Sequence, residues 1–133
     1  MNSLQASKTF ENIKRAFACE AQANQRYLSF AQKAKKEGRK DAASLLTATA
    51  KNKTAHASAL FAFMVEEPAS CTTDKNLKAA IAGEMHVFTD IYPQMARTAR
   101  AEGFEEIAQV FETLAKADKS HACAFQSELT ATR

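Results

Sequence analysis

The sequence is poor in the residues that interrupt helices. Its 133 residues include only three glycines, two prolines and no tryptophan. Turn-rich all-β folds and disordered chains both need frequent glycine and proline, so this composition excludes them. The length is sufficient for one domain with one hydrophobic core. We therefore expect an all-α fold of long helices, forming a single domain over residues 1–133.

Other deficits narrow the range of functions. The net charge of +3 is too small to indicate a nucleic-acid surface. No apolar run approaches the roughly 18 residues that a membrane span requires, and residues 1–8 lack the apolar region of a signal peptide. The three cysteines are far apart and form no CxxC pair, which favours reduced thiols over a disulfide framework or zinc site. We expect a cytoplasmic protein without nucleic-acid or membrane partners.

Capping residues and breakers divide the chain into four helical stretches. Gly38 and Gly103 each follow a long stretch with helical periodicity, as glycine commonly does at a helix C-terminus. Pro68 lies in the one connection with loop composition. The predicted helices span residues 10–36, 40–66, 74–101 and 104–130.

Each predicted helix carries an apolar stripe with ionisable residues at its middle. The stripes follow the 3–4 spacing of an amphipathic helix. The ionisable positions are Glu20 in the first helix, Lys53 and His56 in the second, Glu84 in the third, and Asp118 and His121 in the fourth. Antiparallel packing of four such helices would bring these positions to one level inside a bundle.

The chain also repeats itself, first at an offset of 64 residues and then at 65. The matches include Glu20 with Glu84, Tyr27 with Tyr92, and His56 with His121. The repeat predicts two similar helical hairpins, each with a glutamate on its first helix and a histidine on its second.

The change of offset falls inside the third predicted helix. One extra residue in a continuing helix is most easily accommodated as a π-bulge. Pro93 follows on the same stretch and disrupts the ordinary hydrogen-bond ladder. We therefore predict a bulge or kink between Glu84 and Pro93.

Several carboxylates at one level in a bundle require a metal ion or a counter-charge. Four-helix di-metal proteins use one glutamate from each of two helices and a Glu-x-x-His pair from each of the others. Here the fourth helix has Asp118-x-x-His121, whereas the second has Lys53-x-x-His56. A single histidine on an apolar face is usually a core residue, but the joint pattern in repeat register favours a present or ancestral metal centre.

The motifs resemble those of the rubrerythrin family of ferritin-like diiron proteins. The stretch AFACEAQA at residues 16–23 is similar to the family's AFAGESQA, and further matches include NLKAAIAGE at 76–84 and EGF at 102–104. The resemblance extends from Thr9 to about Phe125. It implies a ferritin-like four-helix bundle of two hairpins joined by a crossover connection. It also implies a homodimer with non-haem iron that reduces hydrogen peroxide, counters oxidative stress and takes electrons from a rubredoxin-type donor.

Position by position, the resemblance implies a set of metal ligands and two losses. The implied ligands are Glu20, His56, Glu84, Asp118 and His121, and the implied hydrogen-bonding tyrosines near the metals are Tyr27 and Tyr92. Asp118 replaces a family glutamate and is shorter by one methylene. Lys53 stands where the family has a bridging glutamate, and Val87 where it has a glutamate on the bulged helix.

The substitution at position 53 changes the charge balance of the centre. Glu20, Glu84 and Asp118 supply three negative charges and Lys53 one positive charge, which leaves −2, enough for one divalent ion. Our hypothesis is that the Lys53 ammonium replaces one metal ion and pairs with Glu20 or Asp118. The alternative is that Lys53 extends along its stem toward solvent.

Different functions follow from these possibilities. The first is a rubrerythrin-like oxidoreductase whose centre is reduced to one metal or weakly active. The second is a metal-free or iron-handling structural bundle in which Lys53 replaces a metal ion. The sequence leaves open one iron, two irons, another divalent metal or none.

Overall fold

The computed structural model describes residues 3–65 and 72–131. Over these residues the chain is helical and contains no strand, so the predicted all-α class is confirmed. The elements are a 3₁₀ turn at Leu4–Ala6, α1 at Lys8–Lys36, α2 at Lys40–Met64, α3 at Thr73–His86, a π-helical turn at Val87–Ile91, α4 at Tyr92–Ala101, and α5 at Glu105–Ala131.

Two helices begin earlier than predicted, α1 by two residues and α3 by one, because their capping residues lie upstream of the expected positions. The Ser7 hydroxyl accepts a hydrogen bond of 3.1 Å from the Phe10 amide, so α1 begins at Lys8 rather than residue 10. The Thr72 hydroxyl accepts one of 3.2 Å from the Lys75 amide and caps α3. These side chains satisfy amides that have no partner inside the helix.

The second helix ends at Met64, two residues before the predicted end at residue 66, because Val65 adopts an extended conformation. The predicted crossover loop between the hairpins lies outside the described residues.

The third predicted helix is interrupted by a π-helical turn where the repeat offset changes. Between α3 and α4, residues Val87–Ile91 form a π-helical turn, and the Tyr92 amide donates to the Val87 carbonyl five residues earlier. Pro93 follows in the first turn of α4, where a missing amide proton is tolerated. The predicted bulge between Glu84 and Pro93 is therefore confirmed.

The chain divides into two compact units, residues 1–68 and 69–133. We call α1 and α2 the first hairpin; α3, the π-helical turn, α4 and α5 form the second hairpin. The prediction that residues 1–133 form a single domain stays a prediction. None of the helices in the described ranges combines the length and apolarity needed to cross a membrane.

In each hairpin the helices pack against each other mainly through alanines. The buried residues of the first hairpin are Ala23, Ala31, Ala34, Ala43, Ala50 and Ala57, and those of the second are Ala96, Ala99, Ala108, Ala122 and Leu129. By contrast, Phe30, Leu45 and Phe61 are half or more exposed. Small side chains permit close approach of the helix axes, so the larger apolar groups remain available for contacts beyond each hairpin.

Both hairpin turns use the same backbone motif. Gly38 has φ +75° and Gly103 φ +89°. The Arg39 amide donates to the Ala34 carbonyl at 2.8 Å, and the Phe104 amide donates to the Ala99 carbonyl at 2.8 Å. These are the long hydrogen bonds of a Schellman cap, which places glycine in the left-handed region.

We expect Gly103→Ala to lower the free energy of unfolding by about 1 kcal/mol, because alanine is strained at positive φ. No atom lies within 4 Å of an added Cβ, so a steric clash does not contribute. Gly83→Ala is the control: Gly83 lies inside α3 with equally open space, and alanine there should stabilise by about 1 kcal/mol. Urea denaturation of both variants measures the difference, and equal effects would contradict the assignment.

Candidate metal centre

The second hairpin brings three of the predicted ligands together. Glu84, Asp118 and His121 each offer a ligand atom, and these atoms all lie within 4.8 Å of one another. His121 Nδ1 is 3.4 Å from Asp118 Oδ1 and 3.7 Å from Glu84 Oε1. Two carboxylates and one imidazole are a donor set that suits a divalent transition metal.

Helical geometry explains why these three side chains converge. Asp118 and His121 are separated by three residues on α5, so they share one helix face. Glu84 lies near the end of α3, just before the π-helical turn. The carboxylate side chains are mostly covered, at 24% exposure for Glu84 and 17% for Asp118, whereas His121 is 56% exposed in the second hairpin.

The equivalent place in the first hairpin contains a cation. Lys53 Nζ lies 3.0 Å from Glu20 Oε2, and His56 Nδ1 lies 3.7 Å from the same oxygen. This oxygen is buried and has no well-directed hydrogen bond from a described residue, so the contact is an ion pair. Of the two partners left open by the sequence, the structure pairs Lys53 with Glu20. These residues do not fit a metal ion, because the Lys53 ammonium already lies against the Glu20 carboxylate and balances its charge.

The ion pair also affects the acidity of Glu20. The Lys53 ammonium beside it lowers the pKa of the Glu20 carboxyl, against the opposing effect of desolvation, and His56 adds a smaller lowering. A neighbouring positive charge favours the ionised carboxylate. Glu20 is therefore held in its charged form by a group built into the chain.

Replacing Lys53 with methionine tests this pairing. We expect Lys53→Met to raise the pKa of the Glu20 carboxyl, because the cation that lowers it is removed while the burial remains. Carboxyl-selective ¹³C NMR of the metal-free protein would measure the titration. Lys51→Met is the control, since Lys51 is exposed on the same helix and forms no salt bridge with another described residue. An unchanged titration of Glu20 in Lys53→Met would contradict the ion pair.

The remaining predicted positions, among the described residues, make contacts of other kinds. Val87 begins the π-helical turn and supplies no ligand atom. The Tyr92 ring stacks on Phe111 with centroids 6.1 Å apart, and the Tyr27 ring lies 6.3 Å from that of Phe30. Neither tyrosine hydroxyl makes a hydrogen bond to another described residue, so their role beside a metal stays a prediction.

In the described ranges, 3–65 and 72–131, other reactive side chains do not join the cluster. His86 Nδ1, at the end of α3, lies 3.6 Å from Asp90 Oδ2 in the π-helical turn, and both side chains are exposed. Cys19 and Cys123 are free and exposed.

One polar contact was not anticipated from the sequence. Asn24 Nδ2 donates to the Ala50 carbonyl at 2.6 Å and to Thr54 Oγ1 at 2.8 Å, which joins α1 to α2 one turn from the Lys53–Glu20 pair. Its partners depend on how the two helices pack, which the sequence does not specify.

Comparisons with known proteins agree with the motifs. A family model described as Rubrerythrin matches residues 11–129. A rubrerythrin of Porphyromonas gingivalis is 43% identical over 129 residues, covering 90% of this chain and 64% of the relative. A rubrerythrin of Nitratidesulfovibrio vulgaris is 42% identical over 131 residues, covering 91% of this chain and 69% of the relative. The chain thus spans about two thirds of these relatives' length.

A solved structure offers a weaker comparison. It is described as the fully reduced, all-ferrous state of nigerythrin. It is 29% identical, with 97% of this chain and 72% of that chain covered, and the TM-score is 0.46.

Proposed function

Because the chain belongs to the rubrerythrin family, we propose that it is an iron-dependent oxidoreductase that reduces hydrogen peroxide with electrons from an external donor. The family implies non-haem iron, and the chain has a carboxylate and histidine group of a kind that can hold it. The chain covers 64% of one relative and 69% of the other. The activity of these longer relatives is therefore proposed for this chain.

The observation that carries the proposal is the cluster in the second hairpin. Glu84, Asp118 and His121 converge to within 4.8 Å without a lysine or arginine against either carboxylate among the described residues. Two carboxylates balance the charge of one divalent ion, and burying them without such an ion is costly. We therefore assign one iron to these three residues.

The first hairpin supports the proposal of one metal rather than two. The Lys53 ammonium supplies at Glu20 the positive charge that a second metal ion would supply. Val87 removes a further ligand at the bulge that the family fills with glutamate. Lys53 therefore substitutes for a cation, and the centre is impaired relative to a diiron centre.

In the proposed reaction, residues of the chain bind the iron and the external donor supplies electrons. When bound, ferrous iron supplies electrons to the O–O bond of peroxide, one electron per ion. Reduction of peroxide to two water molecules needs two electrons and two protons. Glu84 and Asp118 hold the ion by charge, and His121 presents a neutral nitrogen. With one ion per chain, the external donor, which we propose to be a rubredoxin-type protein, must deliver the second electron, so turnover should be slow.

A second candidate function rests on the Lys53–Glu20 pair. An ion pair at 3.0 Å neutralises Glu20 without any metal, so a metal-free structural bundle or an iron-handling protein with little turnover is the alternative. The two candidates differ in whether the Glu84 cluster binds iron and whether bound iron reacts with peroxide.

Peroxide consumption by iron-loaded protein tests the proposed activity. With reduced rubredoxin as donor, we expect consumption slower than that of a diiron relative but clearly above that of the same protein stripped of iron. The iron-free protein controls for the reaction of the donor with peroxide. Consumption at the iron-free level would exclude the enzyme and leave the structural or iron-handling function.

The setting of the protein is also part of the proposal. We place it in the cytoplasm, as a homodimer that protects against oxidative stress, without nucleic-acid or membrane partners. Free, exposed Cys19 and Cys123 are consistent with a reducing compartment.

A further inference from the structure

A hollow lies between the two helices of the first hairpin, near the turn that joins them. Its volume is about 360 Å³, and it is lined by Lys35 of α1 and by Ser44, Thr47 and Lys51 of α2. Lys40 precedes Ser44 by one helical turn, so its side chain emerges on the same face of α2, nearer the hairpin turn. All five residues are exposed, and we call them the lysine hollow.

The positive charge of the lysine hollow is not balanced by the chain. Its three lysines form no salt bridge with a carboxylate of any described residue. The nearby acidic residues are placed elsewhere: Glu37 Oε1 lies 3.5 Å from Lys33 Nζ, and Asp41 lines an adjoining recess beside Arg39 and Lys40. The hollow is therefore a concave surface with a local charge of +3.

The second hairpin shows the same place with its charges balanced. The residues at an offset of 65 from those of the lysine hollow are, in order, Arg100, Glu105, Gln109, Glu112 and Lys116. The Arg100 guanidinium donates to both oxygens of Glu105, at 2.9 and 3.0 Å, and lies 2.7 Å from Glu112 Oε1. Two carboxylates of the chain itself thus neutralise the cations at this position.

The first hairpin keeps the cations of this arrangement and lacks its anions. Lys35 stands in the place of Arg100, whereas Lys40 and Thr47 stand where the second hairpin has its two carboxylates. The charge of the five positions is zero in the second hairpin and +3 in the first. Covering three unpaired ammonium groups with an apolar surface is costly, so this end of the first hairpin must meet water or an anion.

We propose that the lysine hollow binds a phosphate-class oxyanion with two or more negative charges, which takes the place that two carboxylates hold in the second hairpin. Ammonium groups form charge-assisted hydrogen bonds with such an anion. Thr47 Oγ1 already donates to the Ala43 carbonyl at 2.8 Å, which leaves Ser44 as the hydroxyl donor. The volume is at the small end of ligand sites and suits pyrophosphate or a small phosphate ester.

The hollow is separate from the Lys53–Glu20 pair of the same hairpin. Ser44 is nine residues before Lys53 on α2. At about 100° and 1.5 Å per residue, this spacing amounts to roughly 180° of rotation and about 13 Å along the helix. The inference therefore stands independently of the proposed function.

An NMR titration of the full chain with pyrophosphate tests the proposal. The protein is kept metal-free because pyrophosphate chelates iron. At about 150 mM salt we expect the amide signals of Lys35, Ser44 and Thr47 to shift together, with a dissociation constant of about 1 mM or less. Sodium chloride at matched ionic strength should not reproduce these shifts.

Substitutions in the hollow distinguish a built site from a generally basic surface. Lys35→Gln should weaken binding about 10-fold, and Lys40→Glu combined with Thr47→Glu, which rebuilds the carboxylates of the second hairpin, at least about 30-fold. Lys36→Gln is the matched control, because Lys36 is an exposed neighbour of Lys35 that does not line the hollow. It should bind within about twofold of the wild type.

The reverse change transfers the site. Glu105→Lys combined with Glu112→Thr should give a second set of pyrophosphate-dependent shifts around Gln109. Titrations with inorganic phosphate and with glycerol phosphate distinguish the source of the anion: tighter binding of the first indicates a free ion, and tighter binding of the second indicates the phosphate group of a larger molecule. Either result supports the site.

The contrary results are equally definite. No saturable shift in the wild type up to about 20 mM pyrophosphate, the same shifts with sodium chloride, or equal weakening in Lys36→Gln and Lys35→Gln would overturn the proposal. Undiminished binding in Lys40→Glu with Thr47→Glu would also overturn it. If circular dichroism shows that this double variant has lost its helices, Lys35→Gln decides.

Discussion

Replacing Asp118 with asparagine is expected to weaken metal binding about 100-fold or more. The change removes one of the two carboxylates that converge with His121 and halves the negative charge at the cluster. Isothermal titration of the metal-free protein with Fe²⁺ under anaerobic conditions, or with Co²⁺ as a substitute, measures the affinity. In the metal-free state the variant should be as stable as the wild type or more so, because Asp118 and Glu84 no longer repel each other.

Asp90→Asn is the matched control for Asp118→Asn. Asp90 is exposed on the same hairpin and contacts His86, outside the cluster. The control should bind metal like the wild type. Equal affinities for all three proteins would show that the cluster is not the metal site, and loss of binding in Asp90→Asn would move the site toward His86.

Restoring glutamate at positions 53 and 87 together is expected to raise iron content from about one to about two ions per chain. Lys53→Glu removes the ammonium that lies 3.0 Å from Glu20 and supplies a carboxylate in its place. Val87→Glu adds a ligand at the π-helical turn. Iron analysis after reconstitution measures the occupancy, and peroxide consumption should increase in the same variant.

Single variants and a charge control make this result specific. Lys53→Glu alone should bind part of the second iron. Val87→Glu alone should bind little of it, because the Lys53 ammonium still pairs with the Glu20 carboxylate. Lys51→Glu makes the same charge change at an exposed position of α2 and should change neither measurement. A double variant that still binds one iron would contradict the role assigned to Lys53.

The helices and the bulge could be predicted from the sequence because they depend on local chemistry. Gly38 and Gly103 ended helices as expected, since the Schellman cap needs a positive φ. The change of repeat offset located the π-helical turn at Val87–Ile91, since one inserted residue must be accommodated inside a continuing helix. Helix starts were less exact because either of two neighbouring hydroxyl residues could cap them.

The packing of the hairpins could not be predicted in the same way. Phe63 and Leu114 belong to the apolar stripes, and both are exposed within their own hairpins. The buried positions belong almost entirely to alanines. An amphipathic pattern shows which residues avoid water, but it does not show which of two adjacent faces meets the neighbouring helix.

The candidate site was predictable in its composition and only partly in its contacts. The Asp118-x-x-His121 spacing placed two ligands on one face, and the repeat added Glu84 from another helix. The partner of Lys53 stayed open, because a flexible four-carbon stem can reach either Glu20 or Asp118. The helix packing of the first hairpin, which the sequence does not specify, brings Lys53 to Glu20.

The number of iron ions per chain in the reconstituted wild-type protein decides whether Lys53 takes the place of a metal ion. Anaerobic loading with excess Fe²⁺, removal of unbound metal and analysis of iron and protein on the same sample give this ratio. We expect about one ion per chain, held by Glu84, Asp118 and His121. Two ions per chain would contradict the substitution of Lys53 for a metal, and none would contradict the metal centre itself.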